Sequence, residues 1–595
     1  MSSMTSPVVE RASSEASRAA LTIPGVFFEQ AARFGLREYL RYFRDGSWQR
    51  LSWNETAERA VRVACGLIAA GLKPGDHVAL LSENRVEWLY CDLAILAAGG
   101  VTVPIYPSLA SRVAGEIAED AQAELAIVSN AQQAAKLGGR RHPRRVFTID
   151  GDIAAWVENA PGPGLASELA GRLAALRPDA VATVVYTSGT TGEPKGVMLT
   201  HRHFVEMGKS ALQAFRIGPE DRLLSYLPYS HVLERVDGIF IETMAGSSFW
   251  LARGMDTLVE DIQASRPTVM LGVPRVFEKV YEAVFNQVRN QPVYRRAIFS
   301  WALGIGAERL HGKPGPWLRL RVRIADRLVL GPLRTRLTGG RLRFFISGGA
   351  PLNEKVEEFF WSIGVKILQG WGLTETTSGV TSNTEEEHRY RTVGKALPGT
   401  KIRIETDGEI LVKGPGVMLG YKNRPEATAE MISDGWLKTG DMGFVDSDGF
   451  LTITDRKKDL IKTSGGKYVA PLPIESQLES ERYIKASLVV GDERPYVVAL
   501  IVPDWEALRA DLGLQGEPSS LVNDAELRAR FSKILDEVNK GQASFETVKH
   551  FALLPRDFTE AEGELTPTLK KKRRAILEHF KNQIEALYAS HSRKG

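Results

Sequence analysis

A run of small, hydroxyl-bearing and glycine residues that ends in one lysine is the first feature of this sequence that could do chemistry. Residues 186–196 read YTSGTTGEPKG and follow the apolar stretch Ala180–Val185. Glycines let successive backbone N–H groups converge on an anion, hydroxyls add donors, and Lys195 adds a positive charge. The residues that could wrap a phosphate are Thr187, Ser188, Gly189, Thr190, Thr191 and Gly192. The pattern predicts a loop that binds a nucleoside triphosphate.

This loop differs from the Walker P-loop. That motif ends in Gly-Lys-Ser/Thr and opens a helix, whereas here Pro194 precedes the lysine and Gly196 follows it. An ordinary surface loop is the alternative, and the order of ten such residues argues against it. The run resembles the signature of the acyl-adenylate-forming enzymes, the superfamily of acyl-CoA synthetases, luciferases and peptide-synthetase adenylation domains.

A second motif, QGWGLTET at residues 369–376, follows another short apolar run. The resemblance implies that Trp371 stacks on adenine, that Thr374 contacts the α-phosphate and that Glu375 holds Mg²⁺. A flat ring suits a base, and a hard carboxylate suits a hard cation. The family usually has tyrosine where Trp371 stands, and a core tryptophan is the alternative for this side chain.

A third motif, SGGAPL at residues 347–352, also follows an apolar run. It resembles the segment whose backbone lines the adenine and acyl pocket, where glycine permits close approach of a ligand. The resemblance places these residues of the second and third motifs at the nucleotide: Gly349, Ala350, Pro351, Gln369, Gly370 and Gly372.

Two further motifs lie nearer the C-terminus. In GWLKTGDMG, residues 435–443, Asp441 matches the acid that accepts hydrogen bonds from both ribose hydroxyls, although a turn aspartate is the alternative. In DRKKDLIKTSGGK, residues 455–467, the resemblance assigns Arg456 to the ribose or phosphate and Lys458 to an interdomain hinge. It assigns the path of CoA to Gly465 and Gly466.

The sixth motif is ELTPTLKKKRR, residues 564–574. Lys570 matches the lysine that reaches the substrate carboxylate and the α-phosphate. Most family members carry Ser-Gly before that lysine, and the Thr-Pro-Thr-Leu-Lys form is that of long-chain acyl-CoA synthetases. Because Lys571 and Lys572 follow directly, the register of the catalytic lysine stays open within this run.

These parts suit activation of a carboxylic acid by ATP. The substrate carboxylate itself attacks the α-phosphorus, so a serine or cysteine nucleophile is not required. The sequence contains no G-x-S-x-G, H-E-x-x-H or paired-cysteine metal motif that would indicate other chemistry.

The elements that must position these residues alternate between strands and helices. Short apolar runs such as His77–Leu81, Val269–Val273 and Val365–Leu368 are separated by amphipathic stretches, which predicts α/β layers with mainly parallel sheets. Hairpin signals begin near Lys401. We expect a disordered tail at 1–20, a large multi-layer α/β domain at 21–455 that a β-rich module closes, and a small mobile α+β domain at 456–595.

Composition limits the remaining classes. A net charge of +4 over 595 residues gives no argument for nucleic acid. The two cysteines, Cys65 and Cys91, lie in apolar surroundings, which favours a reducing, cytoplasmic setting over a disulfide framework. No run reaches the about 20 apolar residues of a membrane span, and the first residues lack the apolar core of a signal peptide.

Two features of the sequence bear on the identity of the acyl group. His231, in LPYSHVLER, matches a position that lines the acyl pocket, and a hydrogen-bonded core histidine is the alternative. Residues 281–340 form an insertion like that of long-chain synthetases, and between Arg295 and Arg343 twelve basic residues face two acids. Such a basic, aromatic-bearing segment suits contact with an anionic membrane. Helices that pack their apolar sides inward are the alternative.

The resemblance implies an ATP-dependent long-chain fatty acid–CoA ligase with ATP and CoA as co-substrates and Mg²⁺ as cofactor. One rival is a fatty acyl-AMP ligase that passes its acyl group to an acyl carrier protein. Another is a catalytically silent protein that binds lipid or nucleotide. Neither the preferred chain length nor the oligomeric state follows from the sequence.

Overall fold

The structure is a computed structural model that describes residues 21–188, 194–310, 315–566 and 570–589. The tail predicted at 1–20 and the loop residues Gly189, Thr190, Thr191 and Gly192 lie outside the described residues. The fold is mixed α/β, as the sequence predicts.

The strands, in chain order, are β1 Glu38–Arg44, β2 Ser47–Ser52, β3 His77–Leu81, β4 Val101–Ile105, β5 Ala123–Val128, β6 Arg145–Thr148, β7 Val181–Ser188, β8 Pro194–Thr200, β9 Arg222–Ser225, β10 Ser248–Leu251, β11 Val269–Gly272, β12 Phe344–Ser347, β13 Ile367–Leu373, β14 Ser378–Ser382, β15 Lys395–Ala396, β16 Lys401–Ile404, β17 Glu409–Lys413, β18 Gly420–Tyr421, β19 Ile432–Ser433, β20 Trp436–Val445, β21 Leu451–Arg456, β22 Ile461–Lys462, β23 Tyr468–Val469, β24 Ile484–Val490, β25 Val498–Pro503 and β26 His550–Leu553.

The α-helices are α1 Ile23–Phe34, α2 Trp53–Ala69, α3 Val86–Ala97, α4 Ser111–Asp120, α5 Ala131–Ala135, α6 Ala154–Glu158, α7 Pro163–Ala175, α8 His201–Ala214, α9 Ile241–Ala245, α10 Leu258–Ser265, α11 Pro274–Arg289, α12 Val293–Leu310, α13 Pro316–Ala325, α14 Gly331–Thr338, α15 Glu354–Ser362, α16 Pro425–Met431, α17 Pro471–Glu479, α18 Trp505–Leu512, α19 Pro518–Leu521, α20 Ala525–Asn539, α21 Arg573–His579 and α22 Lys581–Ala589. Wider π-helical turns occur at Ile149–Ile153, Leu233–Phe240 and Asp326–Leu330.

By its contacts the chain divides into two compact units. The first holds the chain to Ile402, with Val412–Leu437 and Ser447–Leu451; the second holds Arg403–Leu411, Lys438–Asp446 and the chain from Thr452 on. The second unit thus includes two segments, Arg403–Leu411 and Lys438–Asp446, that precede the domain boundary expected after Asp455. The domain boundary after Asp455 stays a prediction.

Two large sheets belong to the first unit. One has the order β18-β8-β7-β4-β3-β5-β6, and the other has the order β15-β14-β13-β12-β11-β9-β10-β1-β2. Their central strands are parallel, and antiparallel pairs occur only toward the edges. All five residues of β4 are buried, as expected for a parallel strand that is covered on both faces.

Local sequence signals fix several helix starts. The side chain of Ser52 accepts from the backbone N–H of Glu55, and the Glu55 carboxylate accepts from the N–H of Ser52, which is a capping box at the start of α2. Thr200 caps α8 in the same position, directly after β8. Strand β8 and helix α8 therefore meet without a loop, close to the lysine of the first motif.

The hairpin-rich segment after Thr400 forms the expected β-rich module, a five-stranded sheet of order β16-β17-β20-β19 with β21 beside β20. The second unit contains the hairpin β22–β23 and the sheet β24-β25-β26, against which α17 and α20 pack. No helix within the described ranges combines the length and apolarity needed to cross a bilayer.

Candidate active site

The lysine of the first motif lies on a β-hairpin. Strand β7 runs on to Ser188, beyond the end expected at Val185, and pairs antiparallel with β8 so that Thr187 lies opposite Lys195. Lys195 therefore lies near the start of β8, in the paired part of the hairpin. The Lys195 Nζ lies 5.3 Å from the centre of the Tyr421 ring, within the range of a cation–π contact.

The acid of the second motif meets the same tyrosine. Glu375 lies in the single 3₁₀ turn Thr374–Thr376 between β13 and β14. The Tyr421 hydroxyl donates a 2.8 Å hydrogen bond to the Glu375 carboxylate, and the Met418 N–H donates to the Glu375 carbonyl. Burial and the neighbouring Glu375 carboxylate raise the pKa of Tyr421, so its hydroxyl remains a donor. Tyr421 thus joins Lys195 to Glu375, a role that the sequence motifs did not indicate.

The glycines beside Trp371 are required by the protein backbone. A Cβ on Gly372 would lie 1.8 Å from the Ser378 carbonyl oxygen, and one on Gly370 would lie 3.1 Å from that of Thr381. Both contacts are with β14, which pairs with β13 and shifts register between Trp371 and Gly372. These glycines are therefore needed for the close pairing of β13 with β14, independently of any role in binding a ligand.

Trp371 is partly buried against the cluster of Met207, Val380 and Val412. The packing expected of a core tryptophan is thus present in part, and stacking on adenine stays a prediction. Its backbone is held by the pairing of β13 with β14, in which Trp371 lies opposite Thr381.

The third motif is tied to the second by Gln369. This side chain is 7% exposed, accepts from the Leu352 N–H at 3.3 Å and donates to the Glu357 carboxylate at 2.9 Å. Gln369 therefore holds the SGGAPL loop against β13 with its side chain. A Cβ on Gly348 would lie 3.4 Å from Leu233, which brings the loop beside the π-helical segment that follows His231.

The remaining residues of the third motif lie at the surface. Gly349, Ala350 and Pro351 are exposed, and Gly349 has a φ of +88°, in the left-handed region that favours glycine. Their backbone is therefore accessible at the carboxyl end of β12, where open parallel sheets place ligands.

His231 is half-buried at the start of the π-helical segment Leu233–Phe240. Its Nδ1 accepts from the Leu233 N–H at 3.1 Å, so in the neutral ring the proton lies on Nε2. The structure thus supports a local structural role for His231, while its part in an acyl pocket stays a prediction.

Three acids follow His231 on the same segment and its continuation: Glu234 and Glu242 are buried, and Asp237 is partly buried. Asp237 accepts from the Ser378 hydroxyl at 2.5 Å and from the Gly379 N–H. Burial raises the pKa of Asp237 to about 7 and the pKa values of Glu234 and Glu242 to about 8. The sequence analysis did not single out these acids, and their burial is visible only in the structure.

Asp441 and Arg456 come together in the second unit. The Arg456 Nε lies 3.0 Å from an Asp441 carboxylate oxygen, and the Asp441 N–H donates to the Thr439 hydroxyl. Asp441 is 4% exposed, whereas the Arg456 side chain is half exposed. The two residues assigned to ribose are therefore neighbours, fifteen positions apart in sequence.

The hinge and CoA residues are exposed in the same unit. Lys458 lies in the turn after β21, and Gly465 and Gly466 lie in the hairpin loop between β22 and β23. Gly466 has a φ of +74°, whereas a Cβ on Gly465 would meet only the Thr463 hydroxyl at 4.0 Å. A side chain at Gly465 would therefore fit within its own unit.

The three lysines of the sixth motif have different environments. The Lys571 ammonium is bonded inside the second unit to Glu475, Glu479 and the Ser487 carbonyl. Lys570 and Lys572 are exposed. These bonds argue against Lys571 as the catalytic lysine, a choice that the sequence left open among Lys570, Lys571 and Lys572.

The Glu375 carboxylate suits Mg²⁺ that is held jointly by a protein side chain and a nucleotide. No group of three His, Cys, Asp or Glu side chains that could hold a metal occurs among the described residues. Mg²⁺ is commonly held by one or two carboxylates together with substrate phosphates, and Glu375 supplies one carboxylate near the phosphate-loop lysine.

Comparison with known proteins identifies the family. The AMP-binding enzyme family matches residues 27–422, and the AMP-binding enzyme C-terminal domain matches residues 458–592. The chain is 38% identical over 569 residues to the long-chain-fatty-acid–CoA ligase FadD15 of Mycobacterium bovis, with 93% of this chain and 94% of that protein covered. It is 30% identical to the long-chain-fatty-acid–CoA ligase heimdall of Drosophila melanogaster, with 95% of each covered.

Solved structures share the fold. ATP-bound MatB from Rhodopseudomonas palustris superposes with a TM-score of 0.71 at 25% identity and covers 94% of this chain and 99% of its own. A Mycobacterium tuberculosis fatty acyl CoA synthetase superposes with a TM-score of 0.64 at 22% identity and covers 95% and 99%. Motif order, site geometry and these matches agree: the chain belongs to the AMP-binding enzyme family, the superfamily of AMP-dependent synthetases and ligases.

Proposed function

We propose that this protein is an ATP-dependent long-chain fatty acid–CoA ligase that forms acyl-AMP and pyrophosphate, then acyl-CoA and AMP. The observation that carries the proposal is the arrangement of Lys195 and Glu375 about Tyr421, at the mouth of the phosphate-loop hairpin. Full-length similarity to proteins named long-chain-fatty-acid–CoA ligases supports the substrate class.

The first step needs charge stabilisation more than covalent help. A carboxylate oxygen of the acid bonds to the α-phosphorus, and the bond from that phosphorus to the oxygen of pyrophosphate breaks, without net proton transfer. Lys195 would bind the phosphates that become pyrophosphate. Thr374, one residue before the acid, would donate to the α-phosphate.

Glu375 would hold Mg²⁺, which when bound neutralises charge on the phosphate oxygens. The hydrogen bond from Tyr421 fixes the carboxylate in one orientation, so that it faces the nucleotide without a reorganisation cost. Trp371, Asp441 and Arg456 would bind the adenosine, and the backbone at Gly349 and Ala350 would line the site. His231 would face the acyl chain.

Lys570 is the best candidate for the lysine that bridges carboxylate and α-phosphate. Its N–H donates to the Thr566 hydroxyl at 3.0 Å, and its carbonyl accepts from the Thr566 N–H at 2.8 Å. The exposed side chain therefore stands on a fixed backbone. The Lys571 ammonium is bonded to Glu475 and Glu479 within the second unit.

In the second step the thiol of CoA attacks the acyl carbon, the thiol proton passes to solvent and AMP leaves. Gly465 and Gly466 would line the pantetheine path, and Lys458 would act as the hinge that lets the small domain serve both steps. The exposed position of all three supports this assignment.

Contact with an anionic membrane would bring the enzyme to its lipid substrate at the cytoplasmic face. In the insertion, helix α12 packs Phe299, Ala302 and Ile305 into the core, as the inward-packing alternative expects. Other large apolar side chains of the insertion remain 40–70% exposed: Val293, Tyr294, Ile298, Trp301, Trp317, Leu320, Ile324 and Leu328. Exposed arginines alternate with them on α12 and α13. Such a surface suits an anionic bilayer.

The test measures pyrophosphate release and thioester formation over a panel of acids from acetate to very long chains. Acids of about twelve to eighteen carbons should be preferred, because each buried CH₂ contributes roughly 0.8 kcal/mol. Thioester on a carrier protein but not on CoA would favour the acyl-AMP ligase. Absence of pyrophosphate release would favour a silent binding protein, and faster turnover of coumarate than palmitate would overturn the long-chain assignment.

A further inference from the structure

A buried cluster of charges lies beside the candidate catalytic lysine. Glu475, on helix α17, is 2% exposed. Its carboxylate accepts from the Lys571 ammonium at 2.8 Å, from the Arg573 guanidinium at 2.5 Å and from the Val489 N–H at 2.8 Å. One buried acid thus holds two of the five consecutive basic residues 570–574.

The Lys571 ammonium is fully satisfied. Besides Glu475 it donates to Glu479 at 2.8 Å and to the Ser487 carbonyl at 2.7 Å, which uses its three donors. Burial lowers the pKa of Lys571, but the two carboxylates outweigh burial and raise the pKa above its ordinary value. Likewise, Lys571 and Arg573 hold the pKa of Glu475 below its ordinary value against the effect of burial. Glu475, Lys571 and Arg573 therefore stay charged at neutral pH.

The cluster fixes the backbone on which Lys570 stands. Lys571 forms an antiparallel bridge with Leu565, and the Lys572 N–H donates to the Glu564 carbonyl at 2.7 Å. Because side chains alternate along an extended segment, a partly buried Lys571 that turns inward leaves its neighbours Lys570 and Lys572 on the outer side, where both are exposed. A slip by one residue would exchange inner and outer lysines.

The opposite strand of this small hairpin is anchored as well. The Glu564 carboxylate is fully buried and accepts two 2.7 Å hydrogen bonds from Arg556. Charged pairs therefore hold Glu564 on one side of this bridge and Lys571, the neighbour of Lys570, on the other.

Burying several charges is a poor way to gain stability. Apolar residues in place of the whole cluster would cover the same surface without a desolvation cost. Charged groups with directional hydrogen bonds do, however, select one register, since a slipped backbone would leave a buried charge unpaired.

We infer that Glu475, with Lys571 and Arg573, is a positioning device that sets the register and direction of Lys570 for acyl-AMP formation. The inference rests on the proposed function, in which Lys570 acts in the first half-reaction. Beyond the proposed function, we infer that Lys571 is a structural anchor. Helix α17, which carries Glu475, then affects the first half-reaction only.

The experiment compares Glu475→Gln and Lys571→Met in the full chain. Gln keeps the shape of Glu and its acceptor for Val489, and Met keeps the length of Lys without its charge. Single-turnover pyrophosphate release from ATP and palmitate should fall at least tenfold in each variant, through kcat and not through KM for ATP. Conversion of supplied palmitoyl-AMP and CoA to palmitoyl-CoA should stay within twofold of the parent enzyme.

Lys485→Met is the matched control, because it removes a lysine from a half-exposed ion pair with Asp557 in the same unit. Both half-reactions should be unchanged in this control. If Lys571→Met does not fold, Lys571→Arg, which keeps a cation of different shape, should show the same split between half-reactions.

The outcomes separate this inference from the proposed function. Normal pyrophosphate release by Lys570→Ala would overturn the assignment of Lys570 itself. A defect in Lys570→Ala with normal release by folded Glu475→Gln and Lys571→Met would overturn the positioning inference alone. Equal loss of both half-reactions in the folded variants would also overturn it, since a general structural role predicts that result.

Discussion

The hydroxyl of Tyr421 donates a 2.8 Å hydrogen bond to the carboxylate of Glu375, forty-six positions away in sequence. The same ring lies 5.3 Å from the Lys195 ammonium. One aromatic side chain therefore links the β7–β8 hairpin to the acid expected to hold Mg²⁺: its ring faces Lys195, and its hydroxyl binds Glu375.

Removing this hydroxyl should impair the first half-reaction. Tyr421→Phe keeps the ring beside Lys195 but frees the Glu375 carboxylate to rotate, so acyl-AMP formation should slow about tenfold, the scale of a lost hydrogen bond to a charged group. The apparent affinity for Mg²⁺ should fall in the same assay. Tyr294→Phe, at a tyrosine that is 60% exposed, is the control. Wild-type rates and Mg²⁺ dependence in Tyr421→Phe would show that the bond does not orient Glu375.

The two half-reactions should respond to different mutations in the small domain. Lys570→Ala should reduce acyl-AMP formation by about two orders of magnitude, the scale of one lost charge-stabilising donor, yet still convert supplied acyl-AMP and CoA. Gly465→Leu should release pyrophosphate in a single turnover and fail to make thioester, because the new side chain would obstruct pantetheine.

The space around Gly465 allows a side chain to be added there without a change in the fold of its unit. Within its own unit a Cβ there meets only the Thr463 hydroxyl, so the leucine should not disturb folding. Equal loss of both half-reactions in both folded variants would contradict the division of roles between Lys570 and Gly465.

The insertion should bind anionic vesicles. Charge reversal at Arg319, Arg323 and Arg327 should weaken co-sedimentation with phosphatidylglycerol vesicles in low salt, since each basic residue contributes about 1 kcal/mol near such a surface. Arg321 is left in place so that its ion pair with Glu308 is kept. Activity on dispersed substrate should survive.

A companion variant tests the apolar part of this surface. Trp317 is 70% exposed, and Trp317→Ser should also weaken vesicle binding. Leu36→Ser, at a leucine that is 62% exposed outside the insertion, should have no effect. Unchanged sedimentation of the arginine and tryptophan variants would exclude this segment as the membrane contact.

Stability should fall as pH rises across the neutral range. Burial raises the pKa of Glu242 from 4.5 to about 8, with Asp221 adding to the rise and Arg343 opposing it. The folded protein keeps the proton that the unfolded chain releases, so stability declines between about pH 4.5 and 8, by up to about 1.4 kcal/mol per pH unit for one such group.

Glu242→Gln should remove this part of the slope. Urea unfolding at several pH values should show the variant gaining on the parent protein as pH rises toward 8, whereas Glu220→Gln at the surface should follow the parent. A constant difference between Glu242→Gln and the parent across that range would mean that Glu242 is ionised in the folded protein.

Much of this molecule could be predicted from its sequence because the signals are local. Apolar runs bounded by turns predicted β3 at His77–Leu81, and predicted β11 to within one residue. The order of six motifs predicted the superfamily, which the family matches confirm. Residue type and spacing suffice here, since a strand, a cap or a glycine turn depends on a few neighbouring residues.

Other properties were decided by contacts between distant segments. The sequence offered three adjacent lysines, and only the position of Glu475 on helix α17 shows that Lys571 turns inward and Lys570 outward. Gln369 stood in a nucleotide motif, yet its side chain binds Glu357 and Leu352. Tyr421 stood in no recognised motif and meets Glu375. Strands and helices that are far apart in sequence determine by their packing which side of a segment faces the core and which residue lies opposite it. Only the tertiary structure decides these contacts.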